Sequence, residues 1–208
     1  MSNKYSVVIH TCDKYNFCWD QFFRFFNKYW TGTNCNIYFA NEKCDVGIPS
    51  NIIQLKTGIN NWSNRLLTVL KRIPDQPVFY IQEDMFLTKS IDIQKYYKMF
   101  INIKPSALRL MKLYPHLYKL DHKYGNLYKF KSDSNYLVSH QPSFWDKEFL
   151  KSILIPNEDP WKNEVLGTKR LMKLKKKPNI YMVDKDWYIG ACRKGKFTEL
   201  AQKYIEQI

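Results

Sequence analysis

The sequence predicts an α/β fold, a mixed sheet flanked by helices, on three observations. Apolar runs of strand length, Tyr5–Thr11, Val78–Ile81 and Ile180–Val183, are separated by segments with helical periodicity. The first ninety residues read β-α-β-β-α-β, the order of a sheet layered with helices. The chain has 208 residues, of which 45% are hydrophobic and 16% aromatic, enough for one sizeable core and incompatible with global disorder.

Each element has a local reason. Tyr5–Thr11 is a buried strand by its Val-Val-Ile content. Tyr15–Trp30 carries Phe22, Phe23, Phe25, Phe26, Tyr29 and Trp30 at helical spacing, a core stripe rather than a ligand box. Cys35–Ala40 and Ile52–Lys56 are short strands separated by a Gly-Ile-Pro turn. Asn61 or Ser63 caps a helix that runs through Arg72, and Pro74–Pro77 breaks the chain before the Val78–Ile81 strand. A helix over Ile91–Ile103 and a strand over Ala107–Met111 follow. Tyr124–Phe130 and Asn135–Val138 are expected to pair as a hairpin around Lys131–Ser134. Trp145–Leu154 and Pro160–Lys175 read as helices, Pro160 fitting a first-turn position. Ile180–Val183 is a late strand and Phe197–Ile208 a terminal helix. With no internal repeat or flexible linker, one domain over 1–208 is expected, with a first half to 90 and a second from 91.

Composition excludes several classes. Thirty-three Lys and Arg against nineteen Asp and Glu give a formal net charge of +14. The cations are 27 Lys and only 6 Arg, accompanied by 16 Asn, a mixture that suits compositional drift spread over solvated faces and leaves a specific anionic-ligand site open. Arginine, the residue that reads guanine edges, is scarce. Five cysteines without a C-x-x-C pair argue against a disulfide framework and a structural zinc site. No apolar run reaches the length of a membrane span, and no signal peptide precedes the first strand. A cytoplasmic protein, soluble or peripheral to a membrane, is the expectation. Walker-type, G-x-G-x-x-G, G-x-S-x-G and H-E-x-x-H motifs are all missing, which removes the commonest nucleotide-hydrolase, dehydrogenase, hydrolase and zincin readings.

Five segments could carry chemistry. Val78–Asp84 is an apolar strand that ends in Glu83 and Asp84, at the edge where open α/β sheets bind ligands. Adjacent carboxylates repel unless something compensates, so a divalent cation is a reasonable guest. Trp62, Ser63 and Arg65 open a helix, and a cation in a first turn opposes the helix dipole, which suggests an outside partner. His140 and Gln141, beside Pro142, read as a loop before a helix. Trp161 and Glu164 lie one turn apart after Asp159, so an aromatic plate and a carboxylate share a helix face. Arg193, Lys194 and Lys196 follow Gly190 in a compact basic turn suited to a diphosphate.

Taken in order, Val-Val-Ile-His-Thr-Cys-Asp-Lys-Tyr, Trp62-Ser63-x-Arg65, Tyr80-Ile81-Gln82-Glu83-Asp84, His140-Gln141-Pro142, Pro160-Trp161-x-x-Glu164 and Arg193–Lys196 resemble small GT-A-type glycosyltransferases. Those enzymes occur in bacterial polysaccharide clusters and large DNA viruses. The resemblance implies a GT-A-like, Rossmann-like fold and a nucleotide-diphosphate-sugar donor, UDP-sugar favoured. It implies Mn²⁺ or Mg²⁺ as cofactor and inverting transfer to a hydroxyl of a glycan or glycoprotein acceptor. Carried over, Thr11, Asp13 and Tyr15 line the nucleotide pocket, and Trp62, Ser63 and Arg65 hold base, ribose or phosphates. Asp84 ligates the metal as the last acid of the family's Asp-x-Asp, whose first position is Gln82 here. His140 and Gln141 face donor sugar or metal, Arg193 and Lys196 the leaving diphosphate, Trp161 the acceptor, and Glu164 is the base. Two other readings stay open: a basic nucleic-acid-binding α/β protein, and a glycan-binding relative without turnover, which Gln82 would suit.

Overall fold

The computed structural model describes residues 5–74, 76–112, 115–124 and 127–208. Met1–Lys4, ahead of the first strand, Asp75 in the expected break, and Gly125 and Asn126 in the expected hairpin lie outside them.

β1 (Tyr5–His10) is followed by a 3-10 segment over Asp13–Cys18 and by α1 (Trp19–Tyr29), so the expected Tyr15–Trp30 helix is divided at Cys18. β2 (Cys35–Asn41), β3 (Ile52–Lys56), α2 (Trp62–Arg72) and β4 (Val78–Gln82) follow in the expected order. Asn61 occupies the N-cap of α2 without a side-chain cap bond. After the Glu83-Asp84 turn come β5 (Met85–Leu87), α3 (Ile93–Ile103) and β6 (Ala107–Arg109). β7 (Tyr118–Asp121), β8 (Leu127–Phe130), β9 (Ser143–Trp145), α4 (Lys147–Ile153) and α5 (Pro160–Lys173) continue the chain. β10 (Ile180–Val183), β11 (Tyr188–Gly190), β12 (Cys192–Arg193), β13 (Lys196–Phe197) and α6 (Glu199–Ile205) complete it. Helices α3, α4, α5 and α6 each begin at a side-chain cap, from Asp92, Asp146, Asp159 and Thr198 respectively, with Pro160 in the first turn of α5.

One nine-stranded mixed sheet runs β3-β2-β1-β4-β9-β6-β10-β8-β7. β1 pairs in parallel with both β2 and β4, and β9 enters antiparallel between β4 and β6. Helices cover both faces, so the strands alternate between two apolar layers rather than between core and water. Val7 and Ile9 face α1 and α3, whereas Val8 faces α2, with Tyr80, Trp145 and Leu150 in the same layer. The phenylalanines of α1 lie in the first layer, as their spacing predicts.

Two expectations are corrected. Tyr118–Asp121, not Asn135–Val138, pairs with Leu127–Phe130. Residues 135–138 instead run irregularly: the Val138 N–H donates to the Thr168 hydroxyl at 3.0 Å and the Leu137 carbonyl accepts from Arg109 at 2.7 Å. The segment before α4 is also more than a loop. Ser143-Phe144-Trp145 is a central strand, and the helix expected from Trp145 begins only after the Asp146 cap. Three residues next to a proline are too short a run for periodicity to register.

Phe144 on β9 touches Tyr5, Phe79 and Phe100, with ring centroids 5.4, 5.1 and 5.8 Å away, and is wholly buried. Phe144→Ala should therefore cost about 3–5 kcal/mol in urea unfolding. A loss under about 1 kcal/mol would show that β9 is not a packed member of the sheet.

Candidate functional site

The carboxyl ends of β1 and β4 are flush, because His10 is the strand partner of Gln82. Beyond them opens a cavity of about 470 Å³ lined by His10, Thr11, Cys12, Tyr15, Trp62, Arg65, Gln82, Glu83, Asp84, Asp159, Pro160, Trp161 and Glu164. It draws on β1 and the 3-10 segment after it, on α2, on the β4–β5 turn and on the start of α5. A ligand at this edge meets chain ends and turns, the usual position in open α/β sheets.

The Glu83-Asp84 turn is held from several sides. The Ala191 N–H donates to the Asp84 carbonyl at 2.6 Å, and β5 then pairs antiparallel with β11. The Cys18 thiol approaches the Glu83 carbonyl at 3.8 Å. Burial, then the neighbouring Asp84, push the Glu83 carboxyl well above the usual carboxylate range, and the Thr11 hydroxyl offsets part of this. Burial raises Asp84 to about 6. Asp84 Oδ1 is out of solvent and has no hydrogen-bond partner among the described residues. With no counter-ion among the described residues, these two acids have electrostatic room for a cation.

Arg65, buried in α2, donates through a terminal nitrogen to the Thr11 carbonyl and lies 3.9 Å from Glu42 Oε1. Trp62 Nε1–H donates to the Tyr80 hydroxyl at 3.3 Å. Its ring packs edge-on against His140, with centroids 4.3 Å apart. At the mouth, Trp161 is 68% exposed, the orientation of a platform rather than a core side chain. Glu164 Oε1 accepts the His140 backbone N–H at 2.7 Å. His140 Nε2 in turn meets Asn163 Oδ1 at 2.9 Å, Asn163 donates to Glu158 at 2.7 Å, and Glu158 takes both terminal nitrogens of Arg170 at 2.7 and 2.9 Å. A buried polar chain thus anchors the loop that carries Glu164's partner.

Of the residues expected at a site, Thr11, Tyr15, Trp62, Arg65, Asp84, Trp161 and Glu164 share this cavity. Ser63, His140 and Gln141 do not line it; Ser63 and His140 are buried, His140 against Trp62. Arg193 and Lys196 are exposed strand partners in the β12–β13 hairpin, which begins next to Ala191. Its Lys194-Gly195 turn has φ of 53° and 76°, the left-handed pair that a two-residue hairpin needs and glycine accommodates. Asp13 is a tether: its carboxylate accepts the N–H groups of Glu42, Lys43 and Cys44 and the Asn41 side-chain amide, all at 3.0–3.1 Å. Of the cavity's lining residues, His10 and Cys12 have no role assigned by sequence reasoning. A histidine closing an apolar strand beside the acid-ended one was the available signal for His10.

The sequence matches no family model and no curated protein. Solved structures with a similar fold are numerous. The Staphylococcus aureus TarS fragment 1–349, solved with UDP-GlcNAc, is 13% identical with a TM-score of 0.63, over 93% of this chain and 60% of that one. UTP-bound UGPase from Acinetobacter baumannii is 8% identical with a TM-score of 0.61, over 100% of this chain and 93% of that one. The mannosyltransferase PcManGT from Pyrobaculum calidifontis, with GDP-Man and Mn²⁺, is 11% identical with a TM-score of 0.55, over 94% of this chain and 59% of that one. The chain therefore has the GT-A type of fold and spans about 60% of the length of the TarS fragment. No helix among the described residues is long and apolar enough to cross a membrane.

Asp13 carries a stability prediction. Burial alone would raise its pKa, but hydrogen bonds from Cys44, Lys43 and Asn41 outweigh burial and hold it at about 2. A depressed carboxylate contributes stability above its unfolded value of about 3.9 and loses it as pH falls through the folded value. The urea midpoint of wild type should exceed that of Asp13→Asn at pH 5, and the gap should shrink between pH 4 and 2. A gap independent of pH would mean that Asp13 is not an ionised tether.

Proposed function

We propose that the chain is a metal-dependent glycosyltransferase that moves a sugar from a nucleotide-diphosphate donor, UDP-sugar favoured, to a glycan hydroxyl. The observation that carries this reading is the Glu83–Asp84 pair, with Asp84 Oδ1 buried and unpartnered, in a cavity that also contains Glu164 and an exposed Trp161. The fold supports it, since nucleotide-sugar enzymes use the same architecture.

The donor set fits Mn²⁺ or Mg²⁺, which take oxygen ligands and often need only one or two carboxylates beside substrate phosphates and water. No group of three or more His, Cys, Asp or Glu side chains suited to a metal occurs among the described residues, so phosphate oxygens and water would complete the shell. Asp84 would hold the ion with Glu83 beside it, and Gln82 would leave the first Asp-x-Asp position as a neutral oxygen donor. Bound there, the cation would neutralise charge on the departing diphosphate.

The side chains divide the remaining work. The cavity is lined by four carboxylates, Glu83, Asp84, Asp159 and Glu164, but by one guanidinium, Arg65. A diphosphate would be repelled from such a lining without a cation, and so would a nucleic-acid backbone. Thr11, Tyr15, Trp62 and Arg65 hold the nucleotide, with Asp13, Ser63 and His140 supporting from behind. Arg193 and Lys196, on the hairpin that begins next to Ala191, would meet the diphosphate, and Gln141, outside the cavity lining, would at most support the loop that faces the donor sugar. Trp161 offers its face to the acceptor ring. Glu164, its Oε1 engaged by His140, takes the acceptor proton on Oε2 while the hydroxyl oxygen attacks the anomeric carbon. One displacement with such a base inverts the anomeric centre.

A nucleotidyltransferase is the second reading, favoured by the UGPase likeness over the whole chain. Substrates and products separate the two: glycosyl transfer consumes a UDP-sugar and releases UDP, whereas nucleotidyl transfer consumes UTP and a sugar 1-phosphate and releases pyrophosphate. With UDP-sugars and Mn²⁺, wild type should release UDP, and Asp84→Asn should lose metal-dependent UDP binding while staying folded. Glu164→Gln should lower kcat by about 10²–10⁴-fold with the donor Kd little changed. Pyrophosphate released from UTP and a sugar 1-phosphate with no UDP released from UDP-sugars, or metal-dependent UDP binding intact in Asp84→Asn, would contradict the proposal.

A further inference from the structure

His10 ends β1 on the α2 side of the sheet, and it lines the cavity while being only 1% exposed. Its hydrogen bonding can be solved by counting protons. Trp62 Nε1 can only donate, so the Tyr80 oxygen is an acceptor at 3.3 Å. The Tyr80 hydroxyl must then place its own proton, and His10 Nδ1, also 3.3 Å away, is the acceptor in reach. The opposite arrangement, Nδ1–H donating to Tyr80, leaves the buried tyrosine proton with no acceptor among the described residues.

The ring is neutral. Burial, then the positive charge of Arg65, then His140, lower the His10 pKa well below its ordinary value. A neutral imidazole whose Nδ1 accepts must carry its proton on Nε2. That nitrogen is buried and has no hydrogen-bond partner among the described residues. An N–H held without an acceptor, on a residue that lines a ligand cavity, is a donor prepared for a ligand oxygen.

We propose that His10 is a donor-site residue whose Nε2–H hydrogen-bonds a phosphoryl oxygen of a nucleoside diphosphate, with the Trp62–Tyr80 relay fixing the tautomer. A phosphoryl oxygen is favoured because Arg65, the cavity's one guanidinium, already gives one nitrogen to the Thr11 carbonyl. An uncharged donor next to it adds an anion contact without adding a competing cation. The ligand's identity rests on the glycosyltransferase reading; the tautomer does not.

The test uses the full chain, with UDP and uridine as probes in the presence of Mn²⁺. Nitrogen-15 NMR of the free protein should show His10 as the neutral Nε2–H tautomer, and Tyr80→Phe should release that preference. UDP should shift the His10 Nε2 resonance, and uridine should not. His10→Ala should weaken UDP about 10- to 100-fold, as expected for a hydrogen bond to a charged group, and leave uridine unchanged. His10→Gln, which retains a side-chain N–H, should recover part of the loss. An Nδ1–H tautomer in wild type overturns the proposal. So does equal UDP affinity in wild type and a folded His10→Ala or His10→Phe, neither of which carries a side-chain N–H. Wild type that binds no UDP removes the glycosyltransferase reading and the His10 contact together, whereas normal wild-type binding with no effect at His10 removes only the latter.

Discussion

At the end of β4 Glu83 is buried and Asp84 keeps one carboxylate oxygen out of water, with no cation paired to either among the described residues. Burial and mutual repulsion both oppose their ionisation, yet the chain fixes them there: the Ala191–Asp84 backbone bond, the β5–β11 pair and the Thr11 hydroxyl all converge on one two-residue turn. On the proposed reading, a ligand bound at this carboxyl edge offsets that cost. Everything else in the cavity is placed relative to that turn. His10 arrives in register with Gln82, Arg65 bonds the Thr11 carbonyl, and α5 brings Trp161 and Glu164 across the opening.

Charge is distributed against the composition. The chain is strongly basic, yet the charged residues that line the cavity are four acids and one arginine. A larger groove of about 680 Å³ lies at the opposite, amino-terminal edge of β6 and β10, and Lys104, Arg170, Lys176 and Lys177 line it with no carboxylate. The Lys173–Lys177 cluster therefore lies away from the Glu83–Asp84 turn. Arg170 belongs both to that groove and to the polar chain through Glu158 and Asn163 to His140, so one buried network spans the α2 layer between the two edges.

Much of the fold is legible in the sequence because buried strands and amphipathic helices leave strong periodic marks. β1, β4, β10 and the phenylalanine stripe of α1 belong to that class. The elements that escaped are short and defined by distant partners. β9 has three residues and owes its place to β4 and β6; β5 exists because β11 pairs with it; the β7–β8 hairpin replaced an equally plausible pairing one segment later. The site follows the same division. Asp84, Arg65, Trp161 and Glu164 sit at strand or helix ends, where sequence position already implies exposure to a ligand. Asp13 and His140 carry polar chemistry that the fold spends on holding loops, and no local pattern separates a tether from a ligand contact. His10 was passed over because its meaning lies in a proton count across Trp62 and Tyr80, residues 52 and 70 positions away along the chain.

On the proposed reading, the Glu83–Asp84 turn is a cation site completed by a nucleoside diphosphate. Anomalous scattering from crystals grown with Mn²⁺ and UDP tests it most directly. The account predicts one strong manganese peak in ligand contact with an Asp84 carboxylate oxygen and with the diphosphate. UDP bound in the cavity with no peak at Asp84, or with manganese held elsewhere, would contradict it.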